Sequence, residues 1–314
     1  MRREFRLGNP RLDTAPEPTA FGQPFRVDLN QCGVNYEPLD RLTCVYIFMP
    51  GKTTTRPTAE AAALRLVILK FIVVSAIIAP PRNMLRQMMS KWGAEERANF
   101  ERQAEIKREE MWQGIHKAGW WPHLSPKEQA HARCTIVTMT QQQQADASWR
   151  MEAVQVLMWA LGLLPALPPY DTMASHDLLK RVPPQIGPFI QAAQLREQAE
   201  IDEARNIAEF WHWRSRTRQL IERGDAFPAN PQMKAAGLSS YDDAVRFSAR
   251  QAAETGTIPP CLADDFPAKG KAYRDLTAEE WSEVRSITAE RHFALNWLCG
   301  YAPDNKWDET PTST

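Results

Sequence analysis

The amino-acid sequence predicts an all-α fold: an irregular bundle of roughly eight helices around a buried central helix, preceded by an extended N-terminal arm. Three observations lead there. The stretch Asp146 to Leu164, DASWRMEAVQVLMWALGLL, is apolar on every side from Ala153 onward except at Gln155, and a helix greasy all round belongs in an interior. Capping-box patterns, in which a hydroxyl residue is followed three positions later by an acid, mark helix starts at Ser125/Glu128, Ser240/Asp243 and Thr277/Glu280. Prolines crowd residues 1–55, which carry no helical period.

That Pro-rich arm reads as extended or flexible, with one candidate strand at Thr43–Phe48, where Val45, Tyr46, Ile47 and Phe48 favour β structure. Residues 56–314 read as a single α-helical domain. Thr58 is placed to cap an apolar helix that Pro80 and Pro81 end, and a second helix should run from Arg82 towards Trp92. Ala94 to His116 is highly charged, with a thin stripe of Phe100, Ala104, Lys107, Met111 and Ile115, which describes a solvated amphipathic helix. Ser125, Pro126 and Glu128 start another, and the β-branched TIVTMT at 135–140 weakens it before QQQQADASW leads into the central helix. Pro165, Pro168, Pro169, Pro183, Pro184 and Pro188 then demand a long ordered connection. Phe189–Arg223 reads as one long helix stopped by Gly224, and Ser240 to Gly256 as the next. A Pro- and Gly-bearing loop serves as an irregular cover. The last helix, from Thr277, ends at Gly300, and Trp307 should fold the closing tail back onto the core.

Composition limits the function classes. Thirty-eight Lys and Arg balance 38 Asp and Glu, so the chain has no electrostatic prior for nucleic acid, whose recognition rests on neutralising phosphates. All eleven Trp lie beyond residue 90, which places the packed body in the last two-thirds of the chain. Five cysteines (Cys32, Cys44, Cys134, Cys261, Cys299) are odd in number and lack CxxC spacing, so reduced thiols in a cytoplasmic protein are expected. The start, MRREFRLGNPRLDTAPEP, has charges without an apolar core behind them. The apolar stretch Ala61–Ala79 has bilayer length but holds Arg65 and Lys70, and two cations near mid-span cost several kcal/mol, so a buried core helix rather than a membrane partner is expected.

Two polar constellations stand out. Arg150, Glu152, Glu290, Arg291, His292, Asn296 and Asp308 are embedded in the two most apolar segments, where an unpaired ion is costly. Arg150 and Glu152 point in different directions on a helix, so their partners must come from elsewhere, and a cross-helix clasp to Arg291, His292 or Asp308 is expected. The same cluster could instead line a ligand or catalytic pocket. The second constellation is WHWRSRTR: Arg214 and Arg218 share one helix face, His212 and Arg216 another, a pattern able to hold a carboxylate or phosphate, while solvated arginines on a helix are the plainer reading. No HExxH, GxSxG or Gly-rich phosphate loop occurs, so neither a metal, a cofactor nor nucleophilic catalysis is expected.

The segments SWRMEAVQVLMWALGLL at 148–164, ERHFALNWLCGY with WDETPTST between 290 and 314, and RPTAEAAALR at 56–65 resemble the bacterial family termed domain of unknown function 4272. The resemblance spans about residues 56–314 and departs at Ser313, where the family's closing pattern has an acid. It implies a fold rather than an activity. The expected role is therefore a protein-interaction module, in a setting such as bacterial conflict or secretion-linked systems, with another protein as partner. An enzyme or small-ligand binder using the Arg/Glu/His cluster is the alternative.

Overall fold

Four helices packed in sequence set the frame: the first long helix lies against the mid-chain helix, that one against the C-terminal helix, and the C-terminal helix in turn against a long helix from the second half of the chain. The computed structural model describes residues 55–312, excepting residue 229 and the side chain of residue 232. The arm up to residue 54, the candidate strand at Thr43–Phe48, Cys32, Cys44 and Ser313 lie outside the described residues.

Helix α1 (Ala59–Ile78) starts where the Thr58 hydroxyl accepts from the Ala61 amide and stops before Pro80. It is long and apolar enough to cross a membrane, and 56% of its most apolar window is buried within the protein. Its two cations are accommodated at the edges of that burial. Arg65 pairs with Glu128 and donates to the His123 carbonyl (3.0 Å), and Lys70 is half-buried, with its ammonium pKa held down by desolvation.

After α2 (Arg82–Met89) comes the charged α3 (Ala94–Lys117), which buries Ala104, Trp112 and Ile115; Lys107, expected on its apolar stripe, is exposed. Ser125 and Glu128 form the expected reciprocal cap of α4 (Pro126–Ala132). Helix α5 (Gln141–Ala160) begins earlier than expected, because Thr140 and Gln143 build a further capping box and make the glutamines its first turn. Its residues from Met151 to Ala160 are all buried, so it is the enclosed central helix.

A second correction concerns Phe189–Arg223, which is two helices, α6 (Ile186–Gln191) and α7 (Gln198–Arg223). The break follows from Arg196. Its amide donates to the Ala160 carbonyl, and its guanidinium to the carbonyls of Trp159, Leu164 and Pro165, satisfying acceptors that the end of α5 leaves open. A residue used in this way cannot also continue a helix. Gly224 ends α7 in the left-handed conformation (φ 73°) that favours glycine.

Helices α8 (Pro231–Ala235), α9 (Tyr241–Glu254) and α10 (Ala278–Leu298) follow, and the irregular cover contains a two-residue hairpin, β1 (Pro267–Ala268) with β2 (Lys271–Ala272). The main core gathers apolar residues of α1, α5, α7, α9 and α10, and a smaller one forms where Ile68, Ile72 and Ala76 meet Trp112, Ile115 and Leu124. Trp307 is buried edge-on against Phe293 and Trp297 and anchors the closing segment.

Candidate functional site

The interior between α5, α10 and the Pro-rich connection holds an ion pair with no exposure: Arg291 is 0% and Glu152 1% accessible. Arg291 Nε donates to Glu152 Oε2 (2.9 Å), and Glu152 Oε1 accepts from the Ala174 amide (2.7 Å). The remaining guanidinium nitrogens donate to the carbonyls of Pro168 (2.8 Å), Pro169 (3.1 Å) and Thr172 (2.7 Å). Proline has no amide proton, so such a connection carries more backbone acceptors than donors; one buried arginine supplies the missing donors. Burial raises the Glu152 pKa, while the Arg291 charge and the Ala174 amide pull it back. Beneath the guanidinium lies the Tyr170 ring, centred 5.2 Å away, and burial pushes the Tyr170 phenol pKa up.

The other members of the first constellation are placed apart from this pair. Arg150 donates to Glu290 (2.9 Å), each 21% exposed, and stacks over Phe293 at 4.8 Å. Desolvation raises the Glu290 pKa against the pull of Arg150. His292 turns towards α7 and meets His212, Nδ1 to Nδ1 at 2.8 Å. Burial and neighbouring charges hold both imidazoles neutral, His212 down to about 4 and His292 well below its ordinary value. Asn296 accepts from Arg205 Nε (2.8 Å) and donates to the Pro311 carbonyl (2.8 Å). Asp308 stands away from the clasp: it accepts from the Lys127 amide (2.9 Å) in the first turn of α4, where a short carboxylate satisfies an open helix donor.

The arginines of the second constellation do not converge on a common point. Arg214 makes a two-pronged bond to Asp265 (2.6 and 2.7 Å) and lies over Tyr273. Burial pushes the Asp265 pKa up, but Arg214 and the amides of Phe266 and Arg274 outweigh it and hold the carboxyl below its ordinary range. Arg218 donates to the carbonyls of Tyr273 and Leu276 and so ties the turn that follows the hairpin to α7. Arg216 is exposed beside Gln219, and His212 is committed to His292. Asp265 was missed at the sequence level: it sits in an aperiodic loop beside Asp264, and only its depth distinguishes the two. Also missed was the buried contact of Ser75 with His131 across α1 and α4 (2.7 Å).

Two cavities flank Trp112, and neither touches Arg291, Glu152, His212 or Arg214. The larger, about 460 Å3, is a surface groove against α3 walled by Ile106, Trp112, His116 and Trp121, with Arg108, Glu109 and Glu110 beside them. Among the described residues no group of three or more His, Cys, Asp or Glu side chains could hold a metal ion, and Cys134, Cys261 and Cys299 are free thiols.

A family model described as domain of unknown function (DUF4272) matches residues 25–235. The chain belongs to this family. The DUF4272 match takes in Arg150, Glu152 and the WHWRSRTR helix and ends before α9 and α10, so it begins and stops earlier than the resemblance over 56–314 suggested. No curated protein and no solved structure matches the chain.

Proposed function

We propose that this DUF4272 protein is a soluble, cytoplasmic protein-interaction module of the kind used in bacterial conflict or secretion-linked systems, and that its partner docks along the α3 groove. The observation that carries this reading is the closure of the Arg291–Glu152 clasp. Every guanidinium nitrogen of Arg291 already donates to the protein, which leaves no convergent polar group for a substrate there. The α3 groove, by contrast, is concave and accessible, combines indole and imidazole surface with charges at its edge, and has Ile106 45% exposed beside it.

The test is site-specific photo-crosslinking in the native cell. A photoreactive side chain at Ile106 should give one discrete protein adduct, and the same group at Lys180, exposed on the connection between α5 and α6, should not. Absence of an adduct at Ile106, or the same adduct from both positions, overturns the proposal.

A further inference from the structure

The smaller cavity beside Trp112, about 130 Å3, has the size of a cavity known to admit benzene, which is about 150 Å3. Its walls are mostly apolar, formed by Phe100, Ala104, Met111, Trp112, Ile136 and Met139, with Gln103 and Thr135 among the polar residues beside them. Among the polar side chains that also line it, Ser75 and His131 are hydrogen-bonded to each other.

Their hydrogen bonding fixes what the cavity offers. Ser75 donates its single hydroxyl proton to the Ile72 carbonyl (2.7 Å), so at the 2.7 Å contact with His131 it is the imidazole Nε2 that carries the proton and donates to Ser75 Oγ. A neutral imidazole protonated at Nε2 has a bare acceptor at Nδ1, and none of the described residues donates to it. The ring stays neutral because burial pushes its pKa down to about 4, with a smaller opposing pull from Asp146. Cations are disfavoured, because the lining contains no carboxylate. Of its two cationic side chains, Lys107 is paired with Glu110 out in solvent, and Arg108 is paired with Glu105 through Nη2 while its buried Nε keeps no partner.

We propose that this cavity is a binding site for a small neutral molecule consisting of an apolar ring that bears one hydroxyl, a phenol or a cyclic alcohol, the ring packed against the Trp112 wall and the hydroxyl donated to His131 Nδ1. The site is independent of partner docking in the α3 groove, although the two cavities share Trp112 and Arg108 as lining.

The experiment uses the full chain with 13C-labelled methionine methyls, titrated with phenol and separately with benzene. Phenol should shift the Met111 and Met139 methyls saturably, with a dissociation constant of about 1 mM or tighter, and leave the exposed Met173 unmoved. Benzene should bind about tenfold more weakly, since it cannot donate to the imidazole. Ala104→Phe, which fills the cavity, should abolish both sets of shifts while far-UV circular dichroism stays unchanged. Lack of saturation, or equal shifts at Met173, overturns the site. Equal affinity for the two rings overturns the role given to His131. Because the wild-type titration alone decides the first point, a variant that failed to fold would not rescue the proposal.

Discussion

Two ion pairs of like chemistry in neighbouring places should behave very differently. Glu152 and Arg291 are sealed from solvent, so Glu152→Ala leaves a buried guanidinium facing an empty space, and the expected loss is about 3 to 5 kcal/mol. Arg150 and Glu290 are each 21% exposed at an edge of the core, where water can reach a stranded carboxyl; there Arg150→Ala should cost less, about 1 to 2 kcal/mol. Urea denaturation of both variants measures the difference, and a Glu152→Ala protein no less stable than Arg150→Ala would refute the clasp. Both arginines are legible in the sequence as charges inside apolar segments. Which of the two is sealed is not, because the seal is built from carbonyls of the distant proline-rich connection.

At the scale of elements, the helix ends carry much of the specification. Glu280 accepts from the Thr277 amide (2.7 Å) while Thr277 accepts from the Glu280 amide, and Thr277→Ala should destabilise the protein by about 1 kcal/mol in the same urea titration. Asn296 fastens the closing segment to α10 and α7 together. Asn296→Leu keeps the shape, removes the bond to the Pro311 carbonyl and strands Arg205 Nε, so trypsin should cut at exposed Lys306 markedly faster with little change elsewhere in the digest. An unchanged cleavage rate at Lys306 would show that Trp307, the Asp308–Lys127 bond and the Trp297 bond to the Asn305 carbonyl hold the segment without Asn296. The division of the expected helix at 189–223 belongs to this scale as well. Its local pattern is helical throughout, and Arg196 overrides that pattern because the open end of α5 requires donors.

For the whole molecule, three imidazoles with lowered pKa values, His131 and His292 buried and His212 partly so, set a common pH dependence. His131 and His212 are lowered to about 4 and His292 lies well below 6.5, so each is bare in the folded protein where it would be protonated in the unfolded chain. The unfolded state then binds more protons between pH 6.5 and about 4, and this contribution to stability, complete above 6.5, is lost as the pH falls through that window. Glu152 and Glu290, whose pKa values are raised, act in the opposite sense above 4.5. The imidazole share is isolated by comparison: the denaturation midpoint of His292→Asn should vary less between pH 7 and 5 than that of the wild type. An equally steep dependence would remove His292 from the account.

The sequence by itself determined the helical class, most of the helix starts and the burial of α5, because caps and apolar periodicity act over a few neighbouring residues. It also determined that the charges inside the apolar segments would need partners. Which partners they found was decided only by the tertiary structure. His212 and His292 belonged to separate constellations in the chain and meet in space, Asp308 caps α4 rather than joining the clasp, and Arg214 is held by an aspartate in an aperiodic loop. Hydrogen bonding and charge pairing depend on distances between residues remote in sequence, and those distances exist only once the helices have packed.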